Sequence, residues 1–289
     1  MRLGICVGIP APGAGSAGAG SAGAGPAAAG SAGGVCDGQS AARMAAGLGY
    51  DYVEMSLAPL AALDGDGFDY VLSELDGARI KCECLNVMFP AGIRLTGGER
   101  DEAAIRAYLD AAFARAHKIG AELVVFGSGG ARRIPDGYPY GAAFAQLSDT
   151  LKMISETAAA YGIQIAIESL NKNETNVILS LSEAERLMAA AGMANVKLLF
   201  DFYHFAAESD SVEDLRRLAL GGRIIHMHYA EPSDRGVPRG ISRENAAVIN
   251  ALKEGGYDAR CSIEARLENP GSPLAEMRSG LAALREIVS

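Results

Sequence analysis

Four short apolar runs in the second half of the chain each end in a side chain that can bind a metal ion. They read IQIAIE, VKLLFD, RIIHMH and ARCSIE, and their last residues are Glu168, Asp201, His228 and Glu264. Helical patterns separate the runs, and alternating strands and helices form parallel sheets. The carboxyl ends of such strands meet at one edge. We therefore predict that these four side chains share one site.

The same alternation extends over the whole 289-residue chain. Further strands are predicted at 3–8, 50–55 and 78–87 and within 121–135, which runs into a glycine-rich loop. Helices are predicted at 39–48, 67–75, 99–119, 141–161, 181–192, 211–220, 242–256 and 273–289. Eight such units predict an α/β fold, the (β/α)8 TIM barrel, as a single domain over 1–289. A doubly wound open sheet is the alternative, and polar residues at nearly every strand end favour the barrel.

A low-complexity segment over 11–35 interrupts this pattern after the first strand. It consists almost entirely of Gly, Ala, Ser and Pro, in repeats such as GAGSAGAGSAGAG. Such a sequence buries too little apolar surface to offset the entropy of ordering it, so we expect a flexible loop. On a barrel this loop would lie on the active-site face. A disordered insertion and a mobile lid over the site both fit the sequence.

Charge and hydropathy argue against several classes of partner. The formal net charge is −9 and the pI is about 5.0, without a basic cluster, which argues against nucleic acid. No apolar run reaches the roughly 18–20 residues of a membrane span, and MRLGICVGIP lacks the apolar core of a signal peptide. We therefore expect a cytoplasmic protein. The five cysteines, four of them in predicted strands, are expected to be reduced and mostly buried.

The predicted donor set consists of three carboxylates and one imidazole. Such an oxygen-rich set suits Mn²⁺, Mg²⁺ or Co²⁺ better than a structural Zn²⁺, which prefers thiolates and imidazoles. His204 lies three residues after Asp201, and His226 shares a strand face with His228. Glu54 also lies near the end of a predicted strand, the second one.

A glycine-rich turn, GSGGAR at 127–132, follows the fourth predicted strand. Its backbone amides and Arg132 could cradle the phosphate group of a phosphorylated substrate. A tight connection between a strand and a helix explains the same residues, and both interpretations stay open.

Four motifs in the second half resemble those of a known family. They read ESLNKNET from 168, DFYH from 201, HMH from 226 with a loop that reaches Arg235, and SIE from 262. Together they resemble the xylose isomerase-like barrels, which include sugar phosphate isomerases and epimerases. The chain looks most similar to the ketose 3-epimerases, the D-tagatose and D-psicose 3-epimerase group.

This resemblance implies a site with one divalent metal ion, Mn²⁺ first, with Mg²⁺ or Co²⁺ as alternatives. The metal ligands would be Glu168, Asp201, His228 and Glu264. Two of them, Glu168 and Glu264, would also be the catalytic acid/base pair. The substrate-binding residues would be Glu174, His204, His226 and Arg235. The implied partner is a small-molecule sugar, and the implied assembly is a homodimer or homotetramer.

These expectations describe an isomerase of carbohydrate metabolism that inverts C3 of a ketose through an enediolate. One glutamate would remove the C3 proton, and the other would return a proton from the opposite face. An aldose–ketose isomerase, such as one acting on hydroxypyruvate, or a dehydratase or lyase would use the same metal site. Two other classes remain. One is a DNA phosphodiesterase of the endonuclease IV kind, against which the acidic charge argues; the other is a catalytically silent sugar-binding barrel.

Overall fold

The computed structural model of the protein describes residues 1–11, 35–36, 39–269 and 272–289. Eight parallel strands, labelled β1 to β8 in chain order, close into a barrel. Their bounds are Arg2–Cys6, Tyr52–Ser56, Cys82–Asn86, Leu123–Phe126, Gln164–Glu168, Val196–Asp201, Ile224–Tyr229 and Arg260–Ile263. Each strand pairs with its neighbours in chain order, and β1 pairs with both β2 and β8. The predicted (β/α)8 barrel is confirmed.

The segment predicted as a flexible loop, 11–35, lies outside the described residues except at its two ends. After it, the two-residue strands Val35–Cys36 and Gln39–Ser40 pair in antiparallel fashion just before the first helix. The chain thus enters the first helix from a small ribbon that the sequence did not indicate.

Helices connect the strands on the outside of the barrel. Within the described ranges they are Ala41–Leu48, Leu57–Ala62, Gly65–Ala78, Glu102–Ile119, Gly129–Arg132, Tyr140–Ala159, Leu181–Ala191, Phe202–Glu208, Val212–Leu220, Arg243–Glu254 and Leu274–Val288. The longer ones correspond to the eight predicted helices. The three shortest follow β2, β4 and β6 at once or within two residues. They were not predicted, because segments this short show no helical periodicity.

Two predicted strands are shorter than the sequence suggested. The strand predicted at 78–87 begins at Cys82, because the preceding helix continues to Ala78 and ends at Arg79 with a φ of 55°. The segment predicted within 121–135 is a strand only over Leu123–Phe126 and then turns into a short helix.

Side chains fill the interior of the barrel below its carboxyl rim. They form a buried apolar cluster of Tyr52, Cys84, Leu123, Val125, Ala166 and Leu199. The ring of Tyr52 fits because β1 carries Gly4, where an added Cβ would lie 2.3 Å from the ring. Tyr52, Ala166 and Leu199 each stand two positions before an acidic residue of the same strand. The apolar layer therefore supports a layer of polar residues above it.

The amino ends of the strands carry ion pairs. Glu83 is buried between Arg2, at 2.6 Å, and Arg260, at 2.7 Å. Cys6, Cys82, Cys84 and Cys261 are buried free thiols, in agreement with the prediction for the cysteines. Among the described residues, every helix is too short or too polar to span a bilayer.

Candidate metal centre

The four predicted metal ligands lie together at the carboxyl rim of the barrel. Glu168 and Asp201 are the last residues of β5 and β6, His228 lies one residue before the end of β7, and Glu264 directly follows β8. Each offers one ligand atom, and these atoms all lie within 4.8 Å of one another. All four side chains are buried, so the barrel itself holds the cluster in place.

Nδ1 of His228 faces all three carboxylates. It lies 3.3 Å from Oε1 of Glu168, 3.7 Å from Oδ2 of Asp201 and 3.9 Å from Oε2 of Glu264. Donor atoms at such separations can surround one ion whose ligands lie roughly 2.0–2.3 Å away. Three carboxylate oxygens and one imidazole nitrogen suit Mn²⁺, Mg²⁺ or Co²⁺. The residues therefore fit a single divalent metal ion.

The charges of the cluster oppose one another without a cation. Burial, together with the charges of Glu168 and Glu264, raises the pKa of Asp201 to about 8. Burial also raises the pKa of Glu168, and the charge of Glu264 adds to this effect. Burial opposes protonation of His228, but the charges of Glu54 and Glu264 outweigh it and raise the His228 pKa. A divalent ion would replace these protons and relieve the repulsion.

The metal-free protein is expected to lose stability as the pH rises from 6 to 8. The pKa of folded Asp201, about 8, exceeds the value of about 3.9 for an unfolded aspartate, so the folded state keeps a proton that the unfolded state has lost. The contribution of this proton to the free energy of unfolding is present at low pH. It is lost as the pH rises to 8, by on the order of 1 kcal/mol per pH unit.

Thermal unfolding at pH 6 and pH 8, in EDTA or in Mn²⁺, measures this effect. Because the ion binds the ionised carboxylates, Mn²⁺ should raise the Tm more at pH 8 than at pH 6. A smaller increase at pH 8 would contradict the assignment of these carboxylates as ligands.

Two side chains hold the oxygens of Glu264. Arg235 donates from Nη2 to Oε2 at 2.9 Å, and Asn86 donates from Nδ2 to Oε1 at 3.2 Å. Arg235 also donates from Nη1 to Oε1 of Glu174 at 2.6 Å, and its guanidinium lies 4.9 Å from the centre of the Tyr203 ring. The structure thus brings the predicted residues Arg235 and Glu174 to the cluster. Asn86 was not predicted, although its place at the end of β3 was the available signal.

His204 lies buried in the short helix after β6. Its Nδ1 is 3.3 Å from the backbone nitrogen of Asn171 and 3.0 Å from Nδ2 of that residue. A backbone N–H can only donate, so Nδ1 accepts and the hydrogen of the neutral ring is on Nε2. Burial holds the pKa of His204 well below its usual value. In the part of the chain that the structure describes, Nε2 has no hydrogen-bond partner, which leaves one donor for a bound molecule.

His226, predicted to bind substrate, lies deeper in the barrel than the metal ligands. It stands two positions before His228 on β7, which places it roughly 6–7 Å lower along the strand. Its side chain is fully buried, and its Nε2 lies 2.8 Å from Oε2 of Glu54. In this structure His226 contacts Glu54 beneath the cluster, and its role in binding substrate stays a prediction.

Glu54 is a site residue that the sequence analysis did not assign. It is fully buried on β2, and its Oε1 lies 3.0 Å from Nε2 of His228. The signal that could have identified it is the one that identified Glu168, a carboxylate near the end of a buried apolar strand.

The glycine-rich turn packs against the cluster through Gly127. An added Cβ at Gly127 would lie 1.8 Å from Oε2 of Glu168, so only glycine allows this carboxylate its position. Arg132 is fully buried and donates from Nη1 to the carbonyl oxygen of Phe126 at 3.0 Å. The close packing at Gly127 supports a tight strand-to-helix connection, and the interpretation as a phosphate cradle stays a prediction.

A barrel with a carboxylate–histidine cluster at its carboxyl rim defines a class of proteins whose chemistry takes place at that rim. The sequence profile of one such family, the xylose isomerase-like TIM barrel, matches residues 42–287. The chain belongs to this family.

Two relatives are sugar epimerases. The chain is 28% identical over 142 residues to the 3-dehydro-D-guloside 4-epimerase of Escherichia coli K12. The aligned segment covers 48% of this chain and 52% of that protein. It is 29% identical over 200 residues to the D-psicose 3-epimerase of Agrobacterium fabrum C58, with 66% of each chain covered. The match thus spans about half to two thirds of these relatives' length.

Solved structures show the same fold. A D-psicose 3-epimerase with D-tagatose from Clostridium cellulolyticum H10 superposes with a TM-score of 0.75 at 19% identity, over 100% of both chains. The IOLI protein with a bound zinc atom superposes with a TM-score of 0.66 at 20% identity, over 85% of this chain and 91% of that one.

Proposed function

We propose that the protein is a metal-dependent isomerase, a ketose 3-epimerase that inverts C3 of a small sugar through an enediolate. The observation that carries this proposal is the approach of two glutamates to one point from separate strands. Glu168 ends β5 and Glu264 follows β8, with β6 and β7 between them. A binding site alone does not need two such bases. The family and its epimerase relatives support the same class of reaction.

The two glutamates would act as an acid/base pair. One carboxylate removes the C3 proton, and the other returns a proton to the opposite face, which inverts the centre. A divalent ion held by Glu168, Asp201, His228 and Glu264 would supply Lewis-acid stabilisation of negative charge on the sugar oxygens. We expect Mn²⁺ first, and Mg²⁺ or Co²⁺ also fit the donor set.

Three side chains around the cluster would hold the sugar. His204 offers a donor at Nε2, Arg235 offers its guanidinium, and Glu174 offers carboxylate oxygens. Sugar hydroxyls both donate and accept, so this mixture of groups suits them. A cytoplasmic location and a homodimeric or homotetrameric state stay predictions from the sequence and the resemblance.

Replacing His204 with phenylalanine is expected to raise KM about tenfold with a smaller change in kcat. The variant keeps an aromatic ring but loses the Nε2 donor, and one neutral hydrogen bond to the sugar is worth about 0.5–1.5 kcal/mol, or up to roughly tenfold in KM. It also loses the Nδ1 acceptor that Asn171 contacts, so thermal unfolding is measured alongside. Steady-state kinetics on the best substrate measure the effect. His117→Phe is the matched control, because His117 lies on an exposed helix face against Tyr161. An unchanged KM in His204→Phe would refute the contact.

Product analysis tests the proposed reaction. Purified protein with Mn²⁺ is incubated with D-psicose, D-tagatose, D-fructose and L-ribulose, free and phosphorylated, and with hydroxypyruvate. Chromatography should show the C3 epimer of at least one ketose. Aldose products would indicate an aldose–ketose isomerase instead. A protein that binds metal and sugar but converts none of them would be a silent binder, and the proposal would be wrong.

A further inference from the structure

Glu54 lies at the centre of a buried hydrogen-bond network beneath the ligand cluster. Its Oε1 lies 3.0 Å from Nε2 of His228, and its Oε2 lies 2.8 Å from Nε2 of His226. Ser262 donates from Oγ to Oε2 at 2.7 Å, and the hydroxyl of Tyr52 lies 2.9 Å from the same Oγ. Each of these five side chains is 0% exposed, so water does not compete for the bonds.

The direction of these bonds follows from their donors. An ionised carboxylate only accepts, so both ring nitrogens and the hydroxyl donate to Glu54. Because Ser262 gives its one hydrogen to Glu54, the hydroxyl of Tyr52 must donate to Ser262. The chain of bonds therefore runs from Tyr52 through Ser262 to Glu54, and it fixes where the carboxylate lies.

The two nitrogens of His228 consequently have different tasks. Nε2 carries a hydrogen and donates it to Glu54, while Nδ1 faces the carboxylates of the cluster. A neutral imidazole carries a hydrogen on only one nitrogen. With that hydrogen on Nε2, the lone pair of Nδ1 is available to a metal ion.

We propose that Glu54 is a positioning residue of the metal centre, which holds His228 in the tautomer and orientation that present Nδ1 to the ion. This inference deepens the proposed function and rests on its metal site. A carboxylate opposite a metal-binding histidine also makes the ring a stronger electron donor. Loss of such a partner typically weakens metal affinity by about 10–100-fold.

Glu83 provides a matched control. It lies on the neighbouring strand β3 and is also buried, but it pairs with Arg2 and Arg260 at the amino ends of the strands. Glu83→Gln therefore removes a comparable buried carboxylate without touching the ligand cluster.

Calorimetric titration of the metal-free protein with Mn²⁺ tests the role of Glu54. Glu54→Gln should bind Mn²⁺ about 10–100-fold more weakly than the wild type, whereas Glu83→Gln should keep the wild-type affinity. Wild-type affinity in folded Glu54→Gln would overturn the proposal. If Glu54→Gln does not fold, Glu54→Asp replaces it, since it keeps the charge but shortens its reach. It should bind more weakly than the wild type, and full affinity would again overturn the proposal.

Nitrogen NMR gives a readout that does not depend on affinity. The protein is labelled with ¹⁵N at its four histidines and loaded with Zn²⁺, which is diamagnetic. In the wild type, His228 should show a hydrogen on Nε2 and none on Nδ1. In Glu54→Gln the Nε2 hydrogen should move upfield, because a hydrogen bond to a neutral amide is weaker than one to a carboxylate. An unchanged chemical shift would overturn the proposal. A hydrogen on Nδ1 of wild-type His228 would overturn the proposal.

The outcomes separate this inference from the proposed function. Tight metal binding through Nδ1 without conversion of any sugar would support the role of Glu54 and refute the epimerase. A wild-type protein that binds neither Mn²⁺ nor Zn²⁺ would overturn both.

Discussion

Replacing Glu264 with glutamine is expected to lower turnover about 10³-fold, because it removes one of the two groups that exchange protons with the substrate. Loss of a general acid or base typically costs about 10²–10⁴-fold. The amide has the shape of the carboxylate, and its one oxygen can still accept from Arg235, although its NH2 group then faces the Asn86 donor that now binds Oε1. Circular dichroism of the variant checks that the fold survives. Initial rates with saturating Mn²⁺ measure the effect, and Glu83→Gln is again the control.

A finer experiment with the same variant separates proton removal from inversion. Each C3 epimer presents its proton to one glutamate only. With Glu168 intact, Glu264→Gln should exchange the C3 proton of one epimer with solvent but convert neither epimer. Near-normal conversion by this variant would disprove the pair of opposed bases.

Removal of the metal is expected to have the second large effect on turnover. Dialysis against EDTA should lower turnover by about 10²-fold or more, because the charge that develops on the sugar oxygens loses its stabilisation. The Tm should also fall, by about 5–10 °C for an ion present at 100 times its Kd, since the carboxylates then repel one another. Adding back Mn²⁺, Mg²⁺ or Co²⁺ in turn would rank the metals. Full activity in a protein shown by elemental analysis to be metal-free would contradict the assignment.

The fold and the ligand cluster could be predicted because both depend on the ends of strands. Parallel strands of a barrel all end at one rim, so Glu168, Asp201, His228 and Glu264 were placed together by position alone. The depth of His226 could not be read in the same way. Both faces of an inner strand are apolar, and the pattern does not show how far below the rim a side chain lies.

Contacts across the barrel could not be predicted from the sequence either. Glu54 and His228 lie 174 positions apart and meet only because the closed barrel brings side chains of β2 and β7 together in its interior. Arg235 reaches Glu264 from a loop in which its own φ is 58°, a conformation that no local pattern indicates for an arginine. Arg235 was predicted only from the family resemblance, and its contact with Glu264 became visible only in the structure.

Proton NMR in D₂O tests the central claim most directly. The purified protein, with Mn²⁺ or with EDTA, is incubated with the ketose that product analysis identifies, and the position of incorporated deuterium is followed. We expect deuterium at C3, at a rate that depends on the metal. Deuterium at C1 would instead indicate aldose–ketose isomerisation. No deuterium at any carbon, with metal confirmed in the protein, would contradict an epimerase that works through proton exchange at C3.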